Sequence, residues 1–290
     1  MKASQKNLHR HVDFLTSLRP YRNYQQLDSL NRVAAYIRKA FEASGLAVRE
    51  QTWIVDGQTY TNVIGVYNEA ASERLVVGAH YDVCGDQPGA DDNASAVAGL
   101  LESARWVGKK KPKLDYCIEF VAYCLEESPF FGTKQMGSYI HAASLHAEQA
   151  TVLGMICYEM IGYFSDEPGS QPYPSEELER LYPSTANFII VVGIAPYREF
   201  TERVHRLMAV KAAIDVQVVH FPESHASSGL AGLSDQRNYW AFGYPALMIN
   251  DTSFIRNPHY HEPTDTIDTL DFAKMAAVVS AACQAIVKLK

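Results

Sequence analysis

The side chains able to do chemistry in this 290-residue chain stand at the ends of short apolar runs. His80-Tyr81-Asp82 closes the run Leu75, Val76, Val77, and Asp91-Asp92-Asn93 opens a stretch of small and apolar residues. Glu126-Glu127 follows the apolar segment 116–123, Glu159 ends the segment 151–158, and His261 stands in the loop 252–266. Imidazole and carboxylate are ordinary zinc ligands, and a carboxylate two residues after His80 can fix the orientation of its ring. A nitrogen and oxygen donor set without thiolates suits zinc, with cobalt or manganese as substitutes. Such a concentration of acids in an interior is tolerable only when cations neutralise it. Successive side chains at a strand end diverge, so one of Glu126 and Glu127 can bind metal while the other faces a substrate as a base.

The elements that must position these residues can be read from periodicity. Short apolar runs bounded by turn residues predict buried strands at 75–79, 116–123, 151–158, 188–194, 216–221 and 244–251. The Asp/Asn/Ser cluster at 91–95 predicts a helix start, so His80 and Asp92 face each other across one strand–loop–helix crevice, where open α/β sheets bind ligands. Strands at 48–55 and 60–67 flank the turn pair Asp56-Gly57. Helical spacing marks 5–18, 27–44, 133–147, 198–210, 236–242 and 270–288. Alternation of strands and helices predicts an α/β fold with a largely parallel sheet covered on both faces. The chain reads as one unit over 1–290, with a helical N-terminal part at 1–45. The Pro-, Ser- and Glu-rich segment 164–186 is long for a connection and is expected to be a lid or site wall. His9, His11, His141 and His146 read as surface residues.

Composition narrows the function classes. Lys and Arg number 26 against 33 Asp and Glu, a formal charge of −7, which argues against nucleic-acid and acidic-membrane partners. The N-terminal stretch lacks the apolar core of a secretory leader, and no run reaches the length of a membrane span. The five cysteines are odd in number and mostly lie in or beside apolar runs, so free thiols and a cytoplasmic location are expected. Cys84 lies near the proposed site, but no second cysteine stands at zinc-site spacing beside it. No signal for an oligomeric state is present.

In order along the chain, GAHYD, GADDNASA, AYCLEE, YEMIGY and YHEPTDT resemble the motifs of the co-catalytic zinc aminopeptidases. That family (clan MH) also holds glutamate carboxypeptidase, the glutaminyl cyclases and the transferrin receptor ectodomain. The resemblance covers residues 60–285 and implies a three-layer α/β/α sandwich around a mixed, mostly parallel sheet. It implies two zinc ions: His80 would bind one, with Asp82 behind it as orienter, and Asp92 would bridge both. Glu127 and His261 would hold the second ion, Glu159 would be a further ligand, and Glu126 would be the general base. Tyr260 matches a tyrosine that supports the oxyanion in some members. The implied reaction is removal of N-terminal residues from short peptides; the alternative is glutaminyl cyclisation with one zinc on Asp92, Glu127 and His261. Three departures from the family pattern are Ser95-Ala96 for Ser-Gly, Ser234-Asp235-Gln236 for Ser-Asp-His, and Glu159 where aspartate is usual.

Overall fold

The computed structural model describes residues 2–210 and 212–290. Strands β1 (Ala47–Val55), β2 (Gln58–Tyr67), β3 (Glu73–His80), β4 (Cys117–Tyr123), β5 (Thr151–Glu159), β6 (Phe188–Ile194), β7 (Asp215–Phe221) and β8 (Ala246–Asn250) form one sheet in the order β1-β2-β4-β3-β5-β8-β6-β7. The central run β4-β3-β5-β8 is parallel, while β2 lies antiparallel to β4 and β6 antiparallel to β8. The sheet is therefore mixed, as expected. Its parallel centre matters most for function, because the carboxyl ends of four neighbouring strands open on one edge.

Side chains alternate across the sheet with the period of two that a strand imposes. Leu75, Val77 and Ala79 of β3, with Ile118, Phe120 and Ala122 of β4, enter one buried cluster. Val76, Cys117, Val121 and Tyr123 enter the other. Helices α1 (Gln5–Ser17), α2 (Leu27–Ala43) and α3 (Ala96–Lys110) cover the first face. Helix α4 (Gly137–Ala147) and the short helix α5 (Glu176–Leu181) follow in the chain, then α6 (Arg198–Ala209), α7 (His225–Ser228), α8 (Gln236–Ala241) and α9 (Phe272–Ile286). Helices α6 and α9 join the first layer, and α4 and α8 cover the opposite face, giving three layers. Gly78 of β3 shows how tightly the sheet centre is filled: a Cβ there would stand 2.2 Å from the Tyr123 ring.

Capping decides where the outer helices begin. The Ser4 hydroxyl accepts the Asn7 N–H ahead of α1, and the Asp271 carboxylate accepts the N–H groups of Ala273 and Lys274 ahead of α9. The helix expected at 133–147 starts later, at Gly137, because 133–136 is spent in turns after the site loop.

Two histidines read as surface residues are buried. His11 is 4% exposed, and its Nδ1 lies 2.7 Å from the Tyr36 hydroxyl. His141 is 1% exposed, with Nδ1 2.6 Å from the Tyr239 hydroxyl and Nε2 3.3 Å from Glu119. The physical reason is the same for both: a tyrosine hydroxyl, half-buried at Tyr36 and buried at Tyr239, satisfies a ring nitrogen inside the fold. His9 and His146 are exposed, as read.

His11 generates a test of the first layer. Burial, aided by Arg10, lowers its pKa from 6.5 to about 4. The unfolded chain therefore takes up the proton first, so this group's contribution is intact above pH 6.5 and lost as pH falls toward 4. The loss between about pH 8 and pH 5 comes to about 2 kcal/mol. Denaturant titrations at those two pH values should show a decline smaller by roughly that amount in His11→Gln. An identical decline in both proteins would contradict a neutral, buried His11.

Candidate metal centre

Four parallel strands and one kinked helix start deliver the site. His80 is the last residue of β3, Glu159 the last of β5, and Glu126-Glu127 lie just past β4. Asp92 sits before α3 in non-helical backbone, preceding a cis peptide to Asn93. His261 comes from the long loop after β8, in a left-handed conformation with φ 59°. All six residues named from sequence as ligands or base meet in one place.

Their arrangement falls into two halves around Asp92. His80 Nε2 lies 3.5 Å from Asp92 Oδ1, 3.3 Å from Glu159 Oε2 and 3.7 Å from Glu126 Oε2. His261 Nε2 lies 3.1 Å from Asp92 Oδ2 and 3.4 Å from Glu127 Oε2. Each oxygen of Asp92 thus faces a different imidazole. His80, Asp92 and Glu127 can also bring one donor atom each within 4.8 Å of one another.

Asp82 does not stop at the His80 ring, 3.5 Å away. Its two carboxylate oxygens accept the backbone N–H groups of Glu126 and Glu127 at 3.2 and 3.1 Å, so one buried acid positions the residues of two strand ends. Tyr260 stands at the rim with its ring stacked 3.8 Å over His261, and it also lines an apolar cleft. His259 Nδ1 lies 2.9 Å from the Thr264 hydroxyl.

A further set of side chains supports the cluster from behind. Asp265 accepts the N–H groups of Asp91 and Asp92 at 2.9 and 3.0 Å, holding the kink that aims Asp92. Ser234 donates to Glu159 Oε2 at 2.6 Å, and Asn93 donates to the same oxygen at 3.2 Å. Asp235 is fully buried, with neither carboxylate oxygen hydrogen-bonded among the described residues. Arg22 is fully buried and donates to the carbonyls of Leu15, Tyr81, Pro88 and Gly89, fastening the loop between His80 and Asp92. Gly89 must be glycine: its φ is 57°, and a Cβ there would meet the Asp92 carbonyl oxygen at 2.2 Å. The motif gave Ser234 and Asp235, but Arg22 could be found only once its distant loop was placed.

The electrostatics of the centre follow from burying so many acids together. Burial, with Glu127, Glu159 and Asp235 nearby, pushes the Glu126 carboxyl well above the usual range against the pull of His80. Burial and Asp92 raise Glu127 to about 7, and burial raises Asp235 to about 7. Burial alone would lower both histidines, but the facing carboxylates prevail and His261 rises to about 10. Desolvation and mutual repulsion both oppose full ionisation of these acids.

The donor set fits divalent metal. Asp92 Oδ1, Glu127 Oε1 and His261 Nε2 are buried and have no hydrogen-bond partner among the described residues. Orphaned donors and acceptors of this kind are costly in an interior unless something satisfies them. Cys84 also approaches, bringing Sγ within 4.8 Å of donor atoms of Glu127 and His261.

Comparison with known proteins agrees with this chemistry. A model of Peptidase family M28 matches residues 62–286. The uncharacterised protein YfbL of Escherichia coli is 42% identical over 289 residues, covering 96% of this chain and 86% of that protein. Leucine aminopeptidase 1 of Arthroderma otae is 27% identical over 290 residues, covering 94% and 70%. Among solved structures, the LapA aminopeptidase of Legionella pneumophila superposes with a TM-score of 0.77 at 20% identity, over 98% of this chain and 72% of its own. Glutaminyl cyclase of Porphyromonas gingivalis does so at 0.74 and 19% identity over the full length of both. At those identities the structural likeness is one of fold. The family match, however, spans most of the chain and all five motifs that meet at the acidic cluster: this protein belongs to Peptidase family M28 and is a peptidase-type hydrolase.

Proposed function

We propose that this protein is a two-metal aminopeptidase that removes apolar N-terminal residues from short peptides. The observation that carries the proposal is the double set of donors around Asp92, one half with His80 and Glu159, the other with Glu127 and His261. In this reading those five residues hold two zinc ions, with cobalt or manganese as substitutes. When bound, the metal supplies Lewis acidity and lowers the pKa of water toward neutrality.

The chain's own residues then divide the work. Glu126, held by the Asp82 carboxylate through its backbone N–H, takes the proton of the attacking water and returns it to the departing amine. Its burial suits that task, because a raised carboxyl pKa lies closer to the operating pH of a base that must also act as an acid. In this reading Tyr260, whose ring stacks on His261, donates its hydroxyl to the developing oxyanion. Burial and the surrounding carboxylates keep that phenol protonated, as donation requires.

Selectivity for an apolar side chain rests on the cleft beside Glu159 and Tyr260. Leu178, Ile190, Val192, Met248 and Tyr173 are among the residues lining it. Segment 164–186 contributes Gln171, Tyr173, Leu178 and Tyr182 to that lining, and the Gln171 side chain bonds to Thr252 across it. This segment acts as the site wall in the proposal. No helix of the described residues is long and apolar enough to cross a membrane, and the five free cysteines support a reducing, cytoplasmic setting for the enzyme.

Glutaminyl cyclisation needs only Asp92, Glu127 and His261, and those three do come together. The second donor set at His80 and Glu159 favours the peptidase. Leu-peptides should therefore be cleaved with release of free amino acid, and Gln-peptides should yield little ammonia. Predominant ammonia release would reverse the assignment.

Glu126→Gln should retain bound zinc while lowering turnover by about 10²-fold or more. Unimpaired turnover would remove Glu126 from the base role. Asp82→Asn replaces one of the two accepting oxygens with an amide, and should lower zinc affinity by about 10–100-fold without unfolding the protein. Calorimetric titration of the metal-free variants reads this directly, and unchanged affinity would show that Asp82 does not position the cluster.

A further inference from the structure

Cys84 lies outside every role assigned so far, yet its sulfur is within 4.8 Å of donor atoms of Glu127 and His261. It is half-buried, whereas the other four cysteines are buried. The loop carrying it is pinned on both sides. The Val83 N–H donates to the Arg22 carbonyl at 3.2 Å, and the Asn23 amide donates to the Gly85 carbonyl at 2.8 Å. Gly85 turns the chain with φ 65° immediately afterward. The thiol is therefore held against the cluster by Arg22 and Asn23, four secondary-structure elements earlier in the chain.

A second observation points to a ligand at the same place. Glu127 is 7% exposed, and its Oε1 has no hydrogen bond among the described residues. His261 Nε2, 3.4 Å from Glu127 Oε2, is unpartnered in the same sense. An acid, an imidazole and a thiol converging with open valences form a mixed oxygen, nitrogen and sulfur donor set.

We propose that Cys84 is a sulfur ligand to the cation held by Asp92, Glu127 and His261, and that it biases this half of the centre toward zinc or cobalt over manganese. The inference rests on the two-metal reading and extends it. Thiolate is a soft donor that favours zinc over hard cations, whereas manganese prefers carboxylate and water. Coordination replaces the S–H bond by a sulfur–metal bond and releases one proton to solvent, with no change of oxidation state. A bound cation draws that proton off, since a coordinating thiol is deprotonated outright.

Cobalt titration of the metal-free full chain, followed by absorption, tests the proposal. Cobalt should produce visible d–d bands together with a near-ultraviolet thiolate-to-cobalt charge-transfer band. Cys84→Ser should lose the charge-transfer band and keep the d–d bands. Its zinc affinity should fall by about tenfold or more, at least the loss seen when an outer support of a metal ligand is removed, with a smaller change for manganese. Should the variant fail to fold, the wild-type spectrum alone decides, supported by alkylation of Cys84 with iodoacetamide, which bound cobalt should suppress. Visible d–d bands and active peptide hydrolysis without a charge-transfer band would overturn the sulfur ligand and leave the peptidase reading intact. Absence of both cobalt bands and hydrolysis would overturn both.

Discussion

The structure is governed by the cost of burying acids side by side. Asp82, Asp91, Asp92, Glu126, Glu127, Glu159, Asp235 and Asp265 are all less than one-tenth exposed and are gathered at one edge of the sheet. In an interior of low dielectric, each desolvated carboxylate is penalised and each neighbour adds repulsion. The protein meets part of this with backbone N–H donors: Asp82 and Asp265 each receive two, and Asp91 receives the Gly162 N–H. Arg22 adds a buried positive charge behind the loop, and burial lowers its own pKa only to about 10, leaving it charged. Neither device reaches the oxygens of Asp92 and Glu127 that remain open, and divalent cations satisfy those oxygens in the proposed enzyme.

The sheet topology exists, in functional terms, to make that gathering cheap in backbone. Neighbouring parallel strands end at a common level, so β4, β3, β5 and β8 each present a chain end to the same few ångströms. Three of the four ends carry a ligand or base within four residues of the strand, and the fourth feeds the loop that brings His261. The apolar cleft beside them comes from β6, β7 and β8 together with segment 164–186, so in the proposed enzyme side-chain recognition and chemistry meet at β8.

How much of this was readable in the sequence depends on how local each cause is. The apolar runs of β3, β4 and β5 are continuous because both sheet faces are covered, and polar residues at their ends stand out against them. That contrast exposed His80, Glu126, Glu127 and Glu159. Arg22 offered no such contrast: it is one cation in a turn-rich segment, and its role is set by carbonyls some sixty residues away. His11 and His141 were misread because their partners, Tyr36 and Tyr239, are 25 and 98 residues distant. Asp235 belongs to the Ser234-Asp235-Gln236 motif, yet its burial against the cluster is a property of tertiary packing and not of spacing.

In the proposed enzyme Asp92 divides the cluster into two metal-binding halves. Anomalous diffraction at the zinc edge, on crystals grown with zinc, reads that division out. Two peaks should flank Asp92, one beside His80 and Glu159 and one beside Glu127 and His261. A single peak confined to Asp92, Glu127 and His261 at saturating zinc would contradict the two-metal centre, and no peak at either half would contradict the site itself.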